Sequence, residues 1–275
     1  MPRSNKKSRS ALKAATAVRP RADKDHVQSL ERGLAVIRCL GSRPKLTLTQ
    51  VATMSGMTRA AARRFLITLE NLGYVGRSDT QFLLLPRTLE LGYAFLSSQT
   101  VPQLVQPHLE RLAHALQETC SVMVLDGQSI RYIARVTTNR LMGPALSVGS
   151  ILPAYCTAAG RVLLAALPED KLDAYLRGTK VERFTAHTIV NRAALRKEIK
   201  KAARQGWYLS DQETDAGVRA LAAPLHDANN HVIAALNVSC YLGRVEMARM
   251  TSEFLPRLLE VTAAVDNELK ASGLS

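Results

Sequence analysis

Three arginines stand on one face of a short helical pattern, and their spacing suits contact with nucleic acid. Arg59, Arg63 and Arg64 lie opposite the apolar positions of their segment. Ala60 lies among them and is small enough to allow close approach to a base pair. Guanidinium groups can bond phosphates, or the O6 and N7 acceptors of guanine in bidentate fashion. We therefore predict contact with DNA through Thr58, Arg59, Ala60, Arg63 and Arg64.

The elements that would position these arginines follow the order of a helix-turn-helix. A first helix is predicted from Val27 to Gly41. A second begins at Thr47, where Thr47 and Gln50 form a capping box, and it ends in a tight turn at Gly56. The third helix carries the arginines and would lie in a DNA groove, and Thr47 is counted with the DNA-contacting residues. An ordinary three-helix bundle with a solvated arginine face is the alternative.

Two short strands and a further helix are predicted after the third helix. The segments 74–77 and 82–85 flank a turn and predict a β-wing, in which Arg77 is placed to contact the DNA backbone. Pro86 opens a predicted linker helix that runs to Ser98, and the domain boundary falls near residues 98–103. Pro107 is then expected to open the next helix within its first turn.

The positive charge is concentrated in the first hundred residues. The chain carries a formal charge of +14 at neutral pH. Residues 1–100 hold 17 Lys and Arg against 6 Asp and Glu, whereas the other residues hold 20 against 17. An excess confined to one end points to a nucleic-acid or anionic-membrane partner for that end. Part of it belongs to residues 1–25, a predicted disordered basic tail able to add nonspecific phosphate contacts.

No sequence feature indicates a metal site, a disulfide framework or a membrane span. The cysteines are far apart, at Cys39, Cys120, Cys156 and Cys240, which fits a reducing cytosol. No run approaches the roughly 18 apolar residues of a membrane helix. No apolar segment follows the basic N terminus as it does in a secretory signal. We expect a cytoplasmic protein that needs no cofactor.

Beyond residue 103 the pattern changes to mixed helix and strand. Strands are predicted at 122–125, 130–134, 146–148, 207–209, 218–225 and 232–239. Helices are predicted at 157–167 and 193–204, and a long terminal helix at 245–269. Elements in this order are typical of an α+β domain with an antiparallel sheet.

Polar residues in apolar segments suggest a ligand site in this second domain. Thr157 and the small residues after it stand at a helix start, whose open amides can bind a carboxylate. Close packing of that helix on the sheet is the simpler alternative. Asn237 and Ser239 point to one face of an apolar strand, where either a ligand or hydrogen bonds within the protein could satisfy them. Arg135 could neutralise a carboxylate or lie at the surface.

An enzyme and a nonspecific architectural DNA-binding protein are the two other classes considered. His108 and His114 lie near acidic residues of one helix, but no Gly-x-Ser-x-Gly, His-Glu-x-x-His or phosphate-binding loop accompanies them. A Cys156 nucleophile would need a general base that the sequence does not identify. DNA packaging would not need a near-neutral second domain. We therefore predict a ligand-responsive regulator without a catalytic residue, and an enzyme acting on a small carboxylic acid is the remote alternative.

From Val27 to Leu269 the sequence resembles the IclR family of bacterial transcription regulators. The features that carry the resemblance are Ser29–Leu34, the helix-turn-helix through Tyr74, Pro86 with Leu91 and Gly92, Leu152–Ala165, and the series Gly206, Ser210, Glu213, Ala220 followed by Ala222–Pro224. The segments 60–65, 93–98 and 233–237 look most similar to the Pca/Pob subgroup, which controls genes for protocatechuate and 4-hydroxybenzoate breakdown in the β-ketoadipate pathway.

The resemblance implies a winged helix-turn-helix over 26–85, a linker helix over 86–102 and a GAF-like effector-binding domain over 103–272. It also implies homodimers or dimers of dimers on palindromic operators, with a small aromatic or dicarboxylic acid as effector. We count RNA polymerase as a further partner. By motif match, the effector cavity is lined by Ala154, Tyr155, Thr157, Ala159, Gly160, Ser210, Val218, Ala220, Asn237 and Ser239.

The chain departs from the family at two of these positions. Where some relatives carry Cys in place of Ala220 or Asn237, this chain does not, so the identity of the effector is not carried over. A regulator of the same family that serves an unrelated carbon-source pathway is the alternative. Whether the protein activates or represses stays open.

Overall fold

The computed structural model describes residues 25–91, 100–138 and 146–272. Its contacts divide these residues into two compact units, one ending at the first gap and one beginning at residue 100. None of the helices in the described ranges combines the length and the apolar character of a membrane span. Apart from Asp25, the predicted basic tail lies outside the described residues.

The first unit is a helix-turn-helix followed by a wing. Its helices are α1 (Gln28–Gly41), α2 (Leu48–Ser55) and α3 (Arg59–Asn71), and its strands are β1 (Leu46–Thr47), β2 (Val75–Ser78) and β3 (Gln81–Leu84). The strands form an antiparallel sheet in the order β1-β3-β2. This is the winged helix-turn-helix that the sequence predicted.

Local signals set the starts of α2 and α3. The Gln50 amide donates to Thr47 Oγ1 at 3.3 Å and the Thr47 amide donates to Gln50 Oε1 at 2.8 Å, which confirms the predicted capping box. Gly56 adopts a φ of +66° in the turn between the helices, a conformation that glycine reaches without strain. Thr58 caps α3 by accepting from the Ala61 amide at 3.2 Å.

The inner face of α3 packs on α1 and the wing. Ala62, Leu66 and Leu69 are buried against Val36 of α1 and Phe82 of β3, among others. This burial leaves the arginine face of α3 free. Leu72 was expected in the same apolar arc, but it is 51% exposed because it lies beyond the last helical residue.

The second unit is a six-stranded antiparallel sheet covered on both faces. Its strands are β4 (Thr119–Asp126), β5 (Ser129–Val136), β6 (Ile151–Pro153), β7 (Tyr208–Asp211), β8 (Val218–His226) and β9 (Val232–Tyr241), in the order β6-β5-β4-β9-β8-β7. Its helices include α4 (Thr100–Leu116), α5 (Ala158–Ala165), α6 (Glu169–Gly178), α7 (Arg192–Gln205) and α8 (Leu255–Ala271). This agrees with the predicted GAF-like α+β class.

Each face of this sheet has its own apolar core. Leu236 and Val238 of β9 belong to the core shared with α4 and α8. Ala235 of the same strand belongs to the core shared with α5, α6 and α7. Successive side chains of a strand point to opposite faces, so Asn237 and Ser239 lie on the face covered by α5.

Two predicted element positions were wrong. Residues 146–148 do not form a strand: the Ser150 amide donates to the Ser147 carbonyl, and Gly149 has a φ of +87°, so this segment turns before β6. Pro107 does not open a helix but lies inside α4. Buried Val105 and Leu109 flank it, and packing on both sides outweighs the one missing backbone hydrogen bond.

The predicted linker helix is described only at its start. Pro86–Thr88 form a 3₁₀ turn, and residues 89–91 are helical. Arg87 donates to the Leu72 carbonyl at 3.0 Å and lies over the Tyr74 ring, which fixes this turn to the end of α3. Residues 92–99 of the predicted linker lie outside the described residues, and residues 100–102 are the start of α4.

Candidate nucleic-acid interface and ligand site

The outer face of α3 presents unpaired positive charge. Arg59, Ala60, Arg63 and Arg64 are all exposed. Within the described residues, none of the three arginines has a carboxylate at ion-pair distance. Because no internal partner neutralises them, these guanidinium groups are free to bond phosphates or base edges. Thr58 lies at the N-terminal end of the same face.

The wing adds a second basic position beside the predicted Arg77. Arg77 is exposed, donates through Nε to the Asp79 carbonyl at 3.0 Å and lies over the Phe82 ring. Lys45 is also exposed, and its Nζ donates to Ser78 Oγ at 3.1 Å. The sequence reasoning missed Lys45, which stands directly before β1. Only the pairing of β1 with β3 shows that this residue belongs to the wing.

Thr47 is used within the first unit. Its side chain bonds both the amide and the side chain of Gln50. Its described role is therefore that of a helix cap, and its place among the DNA-contacting residues stays a prediction.

Three polar residues form a row across the second sheet, on the face covered by α5. Arg135 of β5 is directly opposite Ser121 of β4, which is directly opposite Asn237 of β9. Side chains paired in this way have Cβ atoms about 5 Å apart. Arg135 donates to Ser121 Oγ at 3.1 Å and lies over the Tyr132 ring, 5.5 Å from its centre. The row brings a cation, a hydroxyl and an amide together.

Two side chains of this row lack an acidic or amide partner among the described residues. Arg135 has no carboxylate at ion-pair distance among the described residues, and the Asn237 side chain, although only 4% of the residue is exposed, makes no hydrogen bond there. The alternative that Asn237 is satisfied by hydrogen bonds within the protein is therefore not what the described residues show.

A second row lies beside the first. Ser210 of β7 is opposite Ala220 of β8, which is opposite Ser239 of β9. Val218 follows on the same face of β8 and, like Ala220 and Ser239, is half-buried. The sheet thus brings together the predicted residues Arg135, Ser210, Val218, Ala220, Asn237 and Ser239.

The start of α5 is more closed than the sequence suggested. Thr157 Oγ1 accepts from the Gly160 amide at 3.0 Å and donates to the Ala154 carbonyl at 3.2 Å. Ala159 is fully buried, and Gly160 faces the Ala154 backbone so closely that it leaves no room for a Cβ. Close packing therefore explains the small residues here. The Gly160 amide, one of the open amides of the predicted anion site, is bonded to the Thr157 cap and is not available to an anion.

Tyr155 directs its hydroxyl to the segment between α6 and α7. The hydroxyl accepts from the Glu182 amide and donates to the Glu182 carbonyl, both at 2.8 Å. Burial is the main reason that the pKa of Tyr155 is raised. This hydroxyl is therefore protonated and already occupied, so Tyr155 can line a ligand site with its ring.

A buried ion pair next to this site was missed by the sequence reasoning. Arg161 is 0% exposed and bonds the Glu213 carboxylate with both terminal nitrogens, the NH2–Oε2 distance being 2.6 Å. Burial alone lowers the pKa of Arg161, but hydrogen bonds and charge from Glu213 outweigh it and the pKa is raised. The signal was an arginine inside the apolar run 160–165, because a buried charge needs a partner.

Three of the four thiols, those of Cys120, Cys156 and Cys240, are buried, and burial favours their neutral form. Burial, reinforced by the charge of Glu213, raises the pKa of Cys156. Burial also raises the pKa values of Cys120 and Cys240 to about 12. No group of His, Cys, Asp and Glu among the described residues is arranged to hold a metal ion. His108 is bonded to Glu268 at 2.8 Å.

The first unit is a winged helix-turn-helix whose basic helix has no acidic partner among the described residues. The second unit carries a row of polar residues in which Arg135 and Asn237 have no acidic or amide partner there. These features define a ligand-responsive DNA-binding regulator. Two family models match this chain: the IclR helix-turn-helix domain over residues 29–79 and the C-terminal domain of the bacterial transcriptional regulator IclR over residues 93–267. The chain belongs to the IclR family. It is a transcriptional regulator with a helix-turn-helix for DNA, and not an enzyme.

Relatives place it in the predicted Pca/Pob subgroup. It is 41% identical over 249 residues to the Pca regulon regulatory protein of Pseudomonas putida, covering 90% of this chain and 86% of the relative. It is 32% identical to the p-hydroxybenzoate hydroxylase transcriptional activator of Acinetobacter baylyi, covering 90% and 92%. A crystal structure of a candidate transcriptional regulator from Rhodococcus sp. RHA1 is similar with a TM-score of 0.80 and 44% identity, covering 90% of this chain and all of that one.

Proposed function

We propose that this regulator binds a small aromatic or dicarboxylic acid and controls genes for the breakdown of such acids. Protocatechuate, 4-hydroxybenzoate and β-ketoadipate are the effectors that we propose to test, because the relatives include a Pca regulon regulatory protein and a p-hydroxybenzoate hydroxylase transcriptional activator. The observation that carries the proposal is the row Arg135–Ser121–Asn237, in which a cation and a buried amide have no acidic or amide partner among the described residues.

The row lacks a carboxylate partner for Arg135. Charge-assisted bonds between a guanidinium and a carboxylate are about twice as strong as neutral hydrogen bonds, and two can form side by side. Arg135 and Asn237 are two strand spacings apart, about 9.5 Å along the sheet. An acid that carries a hydroxyl or second carboxyl group at its far end would therefore use both residues.

The remaining predicted residues would shape the cavity around such an acid. Ser210 and Ser239 offer hydroxyl groups, and Val218 and Ala220 offer a small apolar surface on the same sheet face. Across from the sheet, the site would be closed by the segment that contains Ala154, Tyr155, Thr157, Ala159 and Gly160.

On the DNA side, the exposed face of α3 would read a palindromic operator. Arg59, Arg63 and Arg64 would supply base and phosphate contacts, with Thr58 and Ala60 at close approach, and Arg77 and Lys45 would contact the backbone from the wing. A palindrome needs a two-fold symmetric protein. The apolar side chains of Val27, directly before α1, and of Leu30 and Leu34 within it are 44–63% exposed, which supports a homodimer or dimer of dimers.

We further propose the division into a winged helix-turn-helix over 26–85, a linker helix over 86–102 and an effector domain over 103–272. Effector binding would shift the placement of the DNA-binding domains, because a ligand shifts a conformational equilibrium by its differential affinity. The protein would act in the bacterial cytoplasm, with RNA polymerase as a further partner.

Thermal shift measurements with the three acids test the effector proposal. At a hundredfold excess over Kd, a ligand stabilises the native state by about 2.7 kcal/mol, so we expect a clear rise in melting temperature. The methyl ester of 4-hydroxybenzoate is the matched control, since it keeps the ring and hydroxyl but lacks the negative charge. Arg135→Gln should abolish the response to the acid. Equal responses to acid and ester would contradict the proposed anchor.

A separate measurement tests the operator proposal. Fluorescence anisotropy with fragments of the upstream region of the regulator's own gene should show preference for a palindrome over a scrambled sequence of equal length. A regulator of an unrelated pathway would keep this preference and show no response to any of the three acids.

A further inference from the structure

The chain between α6 and α7 has neither helix nor strand and is held by a few side chains. We call residues 179–190 the strap. Thr185 Oγ1 donates to the Gln212 carbonyl at 2.6 Å, and Thr188 Oγ1 donates to the Glu213 carbonyl at 2.7 Å. Tyr155 holds Glu182 through two hydrogen bonds, as described above. Connections of about this length without regular structure are uncommon and are usually either functional or disordered.

The Glu213 carboxylate joins the strap to the interior. Its Oε2 accepts from the Ile189 amide of the strap at 3.3 Å and from Arg161 at 2.6 Å. Its Oε1 accepts from Arg161 and, at 3.5 Å, from Ser210 Oγ, a residue of the proposed effector site. One side chain therefore contacts the strap, the sheet and α5.

Arg161 extends the same network to the opposite wall of the site. Its Nε donates to the Tyr155 carbonyl at 3.0 Å, which fixes the turn before α5. One terminal nitrogen also donates to the hydroxyl of Tyr208, whose hydroxyl in turn donates to Glu198 of α7 at 2.9 Å. The side chains of Arg161 and Glu213 are 0% and 5% exposed, so neither has surface left for a ligand.

We propose that Arg161 and Glu213 are a positioning pair that fastens the strap and holds Tyr155 and Ser210 in place for the effector. The pair acts through these residues and does not contact the effector. The proposal rests on the effector site proposed above. A buried ion pair can often be replaced by apolar residues without loss of stability, so the stability of the fold alone does not account for this pair.

The test uses full-length protein and compares a double variant with a surface control. Arg161→Met with Glu213→Leu removes both charges together and leaves no unpaired buried charge. Glu169→Gln is the control, because Glu169 belongs to an exposed ion pair with Arg196 that does not touch the strap. The single variant Glu213→Gln keeps the shape of the side chain and is measured beside them.

Limited trypsin digestion measures how accessible the strap is to cleavage, and it needs no ligand. Lys180 and Arg183 are exposed cleavage sites within it. We expect the double variant and Glu213→Gln to be cut there at least ten times faster than wild type, whereas Glu169→Gln is cut at the wild-type rate. The cooperative unfolding of the effector domain, followed through Trp207, should persist in the double variant.

Calorimetry with 4-hydroxybenzoate and protocatechuate measures the affinity of the proposed effector site. We expect a Kd about tenfold weaker in the double variant, by analogy with residues that orient metal ligands, whose loss costs about tenfold or more in affinity. Operator affinity in the absence of ligand should be unchanged. Wild-type strap protection and wild-type Kd in the double variant would overturn the proposal. So would loss of cooperative unfolding in both the double variant and Glu213→Gln, since the pair would then serve folding alone. If wild type binds neither of these acids nor β-ketoadipate, the proposed function fails, while trypsin still decides whether the pair fastens the strap.

Discussion

Replacing Gly160 by alanine tests the close approach between α5 and the turn before it. The added Cβ would stand 2.0 Å from the Ala154 carbonyl oxygen and 2.5 Å from its carbonyl carbon. These atoms belong to the backbone and cannot rotate away. Reaching an ordinary separation of about 3.5 Å needs a displacement of about 1.5 Å. Such overpacking costs about 3 kcal/mol, and the better helix propensity of alanine offsets about 1 kcal/mol, which leaves about 2 kcal/mol.

Urea unfolding followed through Trp207 measures this loss. Trp207 is the only tryptophan in the chain and packs against the core shared with α4 and α8, so its fluorescence reports the second unit. With a slope of about 2 kcal/mol per molar, the midpoint should fall by about 1 M. Gly178→Ala is the control, because there the added Cβ meets only Gln128 Nε2, at 3.6 Å. Its midpoint should change by less than about 0.3 M.

Equal midpoints for Gly160→Ala and Gly178→Ala would refute the reasoning. They would mean that α5 does not approach the Ala154 carbonyl as described, and that the small residues at this helix start serve some purpose other than close packing. A lower midpoint with a changed slope would point instead to an altered unfolded state.

Three further predictions concern the surface and the thiols. Arg63→Ala should lower the slope of operator affinity against salt concentration by about 1 and leave the effector Kd unchanged in calorimetry; if both fell, the proposed division into domains would be wrong. Thr58→Ala should lower the melting temperature of the first unit, measured by calorimetry, because it removes a helix cap of about 1 kcal/mol; an unchanged value would contradict the cap at Ala61. Iodoacetamide at pH 8 should label half-buried Cys39 first in the native protein, as measured by mass spectrometry. Burial raises the pKa of every thiol, and it shields Cys120, Cys156 and Cys240 more completely than Cys39. Early labelling of Cys156 would refute its burial.

Local signals made the first unit predictable. The capping box at Thr47 and Gln50, the left-handed turn at Gly56 and the cap at Thr58 depend on residues within four positions of one another, so the sequence contains them complete. Lys45 could not be placed in the same way. Its position beside Ser78 depends on pairing between β1 and β3, which are separated by more than thirty residues.

Several features of the second unit depend on contacts between residues that are distant in sequence. Alternation in β9 correctly put Asn237 and Ser239 on one face, but only the register with Ser121 shows that the Asn237 amide has no partner among the described residues. Residues 146–148 have a strand-like alternation too short to outweigh the turn at Gly149. Arg161 lies in an apolar helix, and its partner Glu213 is brought to it by the tertiary fold alone.

The alternation of side chains over residues 235–239 of β9 has a practical consequence for engineering. Asn237 and Ser239 face the proposed ligand, whereas Leu236 and Val238 support the core shared with α4 and α8, and Ala235 supports the core shared with α5, α6 and α7. A library that randomises only Asn237 and Ser239 would vary recognition chemistry and leave the packing of α4 and α8 intact. The strand thus offers separate sets of positions for new specificity and for scaffold integrity, which suits this protein to conversion into biosensors for other acids.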